Sequence, residues 1–443
     1  MITKLQDWWV DKRTGFWFVP AVMVLDAVVL ATVMIIVDAT LDLHVVERWP
    51  LLFGAGAAGA RGLLTAVASS MITVAGLVFS ITIVALALTS SQYTSRVIRN
   101  FMRDRVNQEV LGVFVGIFAY CLVVLRTIRG GDEGAFVPSL AVLTGLVLAF
   151  VGIAFLIYFI HHISMSIQAA SIIAAAAQET ITAVDHLFPE ELGEEVKNCG
   201  PEMSLADHTW FGVPARETGY IETINTDALL VVAREHGTIL RMERGIGEFV
   251  VEGTPLVSVV DPGGLDEETM AELIGAYVIS RHRTVDQDAA FGIRQIVDMA
   301  MKALSPGIND TTTAVMCVDY LAAILVRLAA RRIVTPHRLD QGKLRLITRG
   351  PSFESLLAEA FDEIRQNAAG NVAIMSRMLG ALQTIASMTT NPSRRRALCE
   401  QVQCIADLAG RTIESPYDRA RFENRLASVC EASKMKFDPN HPM

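Results

Sequence analysis

Cysteine is scarce and scattered: six in 443 residues, at Cys121, Cys199, Cys317, Cys399, Cys404 and Cys430, with no CxxC pair. That spacing excludes a zinc ribbon or a dithiol redox motif, and reduced thiols are expected. Catalytic signatures are missing as well. There is no G-x-S-x-G, no Walker loop, no H-E-x-x-H and no G-x-G-x-x-G. The nine histidines are dispersed, and nothing in the spacing of His161-His162, His208, His236 and His282 assembles a site. No enzyme activity, metal or cofactor is expected. A net charge of −9 argues against nucleic acid as a partner. The most telling absence is charge itself, because Gly62 to Ser95 contains no Asp, Glu, Lys or Arg.

About 20 apolar residues cross a bilayer as a helix. The Gly62–Ser95 run is long enough, and Phe16–Val37, Val110–Leu125 and Gly134–Ile160 have the same character. Four spans are therefore expected within residues 1–163, interrupted inside only by Asp26. Trp8, Trp9, Trp17 and Trp49 bracket the first span, as interfacial aromatics do. No cleavable leader precedes it in this sequence, so the first helix is expected to stay as an anchor. By Lys4, Lys12 and Arg13, with Arg96, Arg99, Arg103 and Arg105, both termini are expected on the cytoplasmic side. Arg126 and Arg129, in the third link, run against that rule.

Beyond the spans, residues 164–206 read as a helical extension and linker. Either one long helix leaves the bilayer, or the span is followed by a separate amphipathic helix. Residues 207–262 read as a small β-rich module, with Thr226 as N-cap of a short helix over 227–236 and Gly237 as its stop. Gly247 to Leu256 resembles the turn-rich half of a biotinyl/lipoyl-like barrel, which implies a barrel-sandwich-like module. No Lys lies between Lys197 and Lys302, so no prosthetic group is expected there. Residues 263–443 read as an all-α domain with helices over 267–282, 288–304, 311–330, 353–367, 372–390, 393–411 and 418–433. The fold class is thus multi-domain: a four-span α-helical bundle, a small β-rich module and an all-α cytoplasmic domain.

Three stretches, Phe79–Arg105, Gly219–Val260 and above all Asp288–Asp319 with its SPGIND loop, resemble the bacterial predicted membrane proteins grouped as domain of unknown function 2254. The resemblance implies four spans followed by a cytoplasmic domain and carries no activity with it.

Candidate site residues follow from the residues themselves. Ser69, Thr73, Gly76 and Ser80 stand at offsets of 4, 3 and 4 and share one helical face. Small and hydroxyl-bearing residues there line a pore or allow close helix packing. Asp26 within a span is an ion or proton site, or a protonated group bonded to a hydroxyl of the second helix. Arg96, Arg99 and Arg103 share a face at the cytoplasmic mouth, attracting anions or lipid headgroups. Asn309 and Asp310 open a helix, and with Arg281 or Arg294 they offer an anion site or a plain capped turn. Arg394-Arg395-Arg396 read as a solvated face. The expectation is a homo-oligomeric, channel-like conduit for ions or small solutes, in contact with membrane lipids and gated by its cytoplasmic part. The alternative is a non-transporting scaffold or ligand sensor.

Overall fold

A computed structural model of the chain describes residues 17–40, 56–92, 105–130, 136–188, 209–260, 266–285, 287–331, 333 and 336–433, with the side chains of 89–92 set aside. The chain divides into two compact units, Met1–Ser171 and Ile172–Met443.

The first unit holds α1 (Phe18–Thr40), α2 (Ala57–Gln92), α3 (Arg105–Thr127) and α4 (Ser139–Ser166). All four are long and apolar enough to cross a membrane. Helix α3 is the packing hub, with α1, α2 and α4 all lying against it. Its Phe114, Tyr120, Cys121 and Val124 are completely buried. Glycine sets how closely the helices approach. A Cβ on Gly112 would lie 2.5 Å from Met23 Sδ of α1 and 3.2 Å from the Pro20 backbone. On α4, a Cβ at Gly145 would meet Leu64 of α2 at 2.8 Å and one at Gly152 would meet Met71 at 2.9 Å. Outward, Leu25 and Val29 of α1, Leu77 and Val84 of α2, and Phe150 and Ile157 of α4 are exposed. An apolar surface of this kind needs lipid or a partner.

Helix α4 ends at Ser166 and the backbone turns at Ile167–Gln168 before α5 (Ala169–Leu187) begins. The separate amphipathic helix, not the continuous one, is what forms. Ile173, Ala176, Ala177, Thr180, Ala183 and Val184 make its buried face.

The second unit is a mixed structure. A five-stranded sheet runs β1 (Trp210–Pro214), β5 (Pro255–Val260), β3 (Leu240–Met242), β8 (Lys343–Ile347), β7 (His337–Asp340). Only β3 and β8 are parallel. A three-stranded sheet runs β4 (Phe249–Val250), β2 (Gly219–Ile224), β6 (Tyr277–Ser280). Region 263–443 is therefore not all-α, since it supplies β6, β7 and β8 to sheets begun in 207–262. The helix expected over 267–282 stops early as α7 (Glu267–Gly275). Tyr277, Val278 and Ile279 follow, residues that favour a strand, and they pair antiparallel with β2. Helix α6 (Thr226–Glu235) is capped one residue earlier than expected, by Asn225, whose side chain accepts from Ala228 N at 3.0 Å. The turns expected at Gly247 and Gly253 have φ of +81° and +82°.

The remaining helices are α8 (Ala289–Ala303), α9 (Thr311–Ala329), α10 (Phe353–Asn367), α11 (Val372–Ser387), α12 (Pro392–Thr412) and α13 (Pro416–Ser433). By length and composition α9 is a fifth candidate span, where the sequence leads to an expectation of four, all within residues 1–163. Its apolar residues are used in packing against α8, α10 and α11, with Cys317, Leu321, Leu325 and Leu328 completely buried.

Replacing Gly112 by Leu is expected to lower the thermal stability of the detergent-solubilised protein by about 1–3 kcal/mol through overpacking. Gly76→Leu, with nothing within 4 Å of its Cβ position, should leave the monomer's transition unchanged.

Candidate functional site

Helix α2 has two different faces. Ala60, Leu64, Ala68, Met71, Ala75, Val78, Thr82 and Ala85 recur at three and four residues and are buried. Ser69, Thr73, Gly76 and Ser80 lie on the other side and are exposed. The structure keeps the four together on one face, as their spacing requires, and turns that face away from the helix's own bundle. The Thr73 hydroxyl donates to the Ser69 carbonyl at 2.8 Å, four residues back. The buried Thr82 does the same to Val78 at 2.8 Å. Thr73 thus has its hydrogen satisfied while its oxygen still presents lone pairs outward.

Asp26 sits mid-way along α1, exposed. Among the described residues it has no hydrogen bond to a hydroxyl of α2. Arg96, Arg99 and Arg103 lie outside the described residues. A different carboxylate is built into the bundle: Asp38, at the end of α1, accepts the backbone N–H of Leu140 (3.1 Å) and Ala141 (2.9 Å). It caps α4, whose first turn would otherwise leave those donors unsatisfied. Beside it, Tyr120 donates to the Ala141 carbonyl at 2.8 Å and Arg61 to the Ile128 carbonyl at 2.8 Å. The sequence signal for Asp38 was available in principle, an acid at a span boundary, but its partner is 102 residues away.

In the second unit Asp310 forms the capped turn that was one of the two readings of its position. Asp310 is an N-cap: its carboxylate accepts from Thr313 N at 3.0 Å and from the Thr313 hydroxyl at 2.6 Å. Those bonds hold its carboxyl below the ordinary value. Asn309 adopts φ of +49°, the left-handed turn that brings the chain into α9. Arg281 is exposed. Arg294 faces Asp298 (2.8 Å), Glu359 (3.4 Å) and Glu363 (Nη2–Oε2 2.9 Å), a compensated ion network. Arg283 instead pairs with buried Asp288 at 2.7 Å, and burial pushes that carboxyl's pKa up against the pull of the guanidinium. The pair packs over Gly247, where a Cβ would lie 2.8 Å from Arg283 Nη2. Arg394 is no solvated side chain. It donates to the carbonyls of Ala329 (2.9 Å) and Arg331 (2.9 Å), capping the C-terminus of α9. A groove of about 740 Å³ between α9, α11 and α13, with Asp319, Ser376, Arg377 and Arg425 in its wall, had no single-sequence signal.

Long apolar helices with exposed apolar outer surfaces, joined in one chain to a mixed α/β unit, fit a multi-pass membrane protein. The chain belongs to the family described as predicted membrane protein, domain of unknown function 2254, whose profile matches residues 13–384. It is 35% identical over 389 residues to uncharacterized proteins of Mycobacterium tuberculosis and Mycobacterium bovis, covering 86% of this chain and 74% of each relative. No solved structure matches.

Asp310→Ala is expected to destabilise the second unit by about 0.5–2 kcal/mol, the usual cost of a lost cap. Because the folded carboxyl titrates below its unfolded value of about 4, its contribution is complete above that pH. It is lost as pH falls through the lower folded value. Thermal melts of wild type and variant should therefore converge in acid, and equal spacing at every pH would contradict the assignment.

Proposed function

We propose that the protein assembles as a homo-oligomer in which the outward rows of α2 line a conduit for ions or small solutes. The observation that carries this reading is the exposure of Ser69, Thr73, Gly76 and Ser80 on the face opposite the one α2 buries. A lipid-facing helix gains nothing from hydroxyls there, whereas a shared hydrated path uses them as hydrogen-bonding groups. At 36 residues α2 is about 54 Å long, well beyond the roughly 30 Å hydrocarbon core, so the helix reaches through a bilayer, and the row from Ser69 to Ser80 occupies about 17 Å of it. Asp26, exposed on α1, adds a second polar group that assembly or hydration would serve.

In this reading the protein lies in a bacterial inner membrane with both termini and the second unit in the cytoplasm. Arg96, Arg99 and Arg103 follow the row in sequence and bias the path toward anions. The second unit acts as vestibule or gate. One observation favours the alternative, a scaffold or ligand sensor that transports nothing: the groove carrying Arg377 and Arg425 in the second unit.

Proteoliposome flux of chloride and potassium tests the conduit. Flux is expected in wild type and is expected to collapse in the Ser69→Leu/Thr73→Leu double variant, where apolar side chains dewet the path. A Gly76→Cys variant should cross-link between protomers in membranes. Cross-linking without flux of either ion would favour the scaffold, and absence of both would remove the oligomer.

A further inference from the structure

The groove between α9, α11 and α13, with the cavity beside it, sets three arginines against two carboxylates among the described residues. Its lining includes four alanines, Ala322 and Ala381 buried and Ala323 and Ala373 exposed. Arg377 is fixed in place by Asp319. Nε and Nη2 both donate to that carboxylate, the latter at 2.6 Å. A fork held this way leaves the Nη1 hydrogens for another acceptor.

Arg425 has no such partner among the described residues. Its Nη2 lies 2.8 Å from where a Cβ on Gly380 would stand, so the guanidinium rests on α11 at the one residue that leaves room for it. An adjoining cavity of about 450 Å³ shares Ser376 and Arg425 with the groove and adds Arg421 and Asp418. Arg421 and Arg425 are one turn apart on α13. Like charges at that spacing repel, and here three guanidinium groups face one carboxylate already held by Arg377 and one other. Paired guanidinium forks match the oxygen geometry of phosphate. The combined space exceeds one inorganic anion, which leaves the alanine lining for the rest of a ligand.

We propose that this groove binds a small phosphate-bearing ligand, gripped by Arg425 and Arg421 with Ser376 and the free edge of Arg377 alongside. The site deepens the sensor alternative, but it stands whether or not anything crosses the membrane, since it is read by binding and not by flux.

Calorimetric titration of the full-length protein in nanodiscs with sodium pyrophosphate, at ionic strength held with sodium chloride, tests it. Saturable binding is expected, weakened about tenfold or more in Arg425→Ala, as for loss of a charged hydrogen bond. Gly380→Val keeps every charge and displaces Arg425, so it should weaken binding similarly. Arg216→Ala, on the exposed β1–β2 turn, should match wild type. Equal binding in discs of zwitterionic and anionic phospholipid assigns a soluble phosphate. Competition by the anionic discs assigns a lipid headgroup as the phosphate's source, and both support the site. No saturable binding by wild type, or unchanged affinity in Arg425→Ala and Gly380→Val, would overturn it.

Discussion

Close approach of helices at small residues is the constraint on which the membrane unit depends. In lipid no hydrophobic gain separates a packed helix from a solvated one, so association rests on van der Waals contact and a few hydrogen bonds. Gly112 and Gly116 bring α1 onto α3, and Gly145 and Gly152 admit Leu64 and Met71 of α2 onto α4. The alanine face of α2 follows the same rule. Once α3 has taken three neighbours, the opposite face of α2 has no work within the chain, although it is equally rich in small residues. That surplus, not the mere presence of serine and threonine, is what gives the row its meaning.

The second unit is held by different means. Burial of apolar side chains builds its cores, around Leu229, Val257 and Leu273 and along α9. Arginine then fixes the joints. Arg283 pairs with Asp288 at the start of α8, against the Gly247 turn of the β-module. Arg331 donates to the Phe188 carbonyl at 2.6 Å and tethers α5 to the end of α9. Arg394 closes the C-terminus of α9. Each joint matches a planar, multiply donating group to backbone oxygens or a carboxylate, a fit that lysine would not reproduce. Arginine left over after such matching stands out, as Arg425 does.

Hydropathy made the four membrane helices legible, and 3.6-residue spacing between breakers made most of the others so. Of the caps, Asp310 was legible as one of two neighbouring candidates, whereas Asp288, Ser352 and Asn391 are caps seen only in the structure. The strands outside 207–262 were not legible for physical reasons. Lys343–Ile347 carries Lys and Arg between its apolar residues, and its place in the sheet comes from parallel pairing with Leu240, 106 positions away in sequence. Tyr277–Ser280 continues the apolar run of the preceding helix, so period alone could not separate them. For the site, spacing gave the shared face of Ser69, Thr73, Gly76 and Ser80, but not which way it turned, because both faces of α2 are small and uncharged. Arg294 and Arg394 looked available only because their partners, Glu363 and the Ala329 carbonyl, are distant in sequence.

The polar groups of the membrane unit sort by whether the chain itself satisfies them. Asp38 is satisfied, accepting two N–H groups at the head of α4, and its charge is matched by that helix terminus. Tyr120 is satisfied by the Ala141 carbonyl. Asp26 and the α2 row instead face outward. An ionised carboxylate at mid-span costs about 2.5–3.5 kcal/mol on insertion scales, and a row of hydroxyls offers lipid no compensating contact. Both features become favourable when water or a second protomer lies against them. A dry protomer contact would satisfy the small residues of the row without serving Asp26, whereas hydration suits an acid and a row of hydroxyls alike. The coincidence of an acid on α1 and hydroxyls on α2, each turned out of the same bundle, is why the conduit is preferred to a purely structural contact.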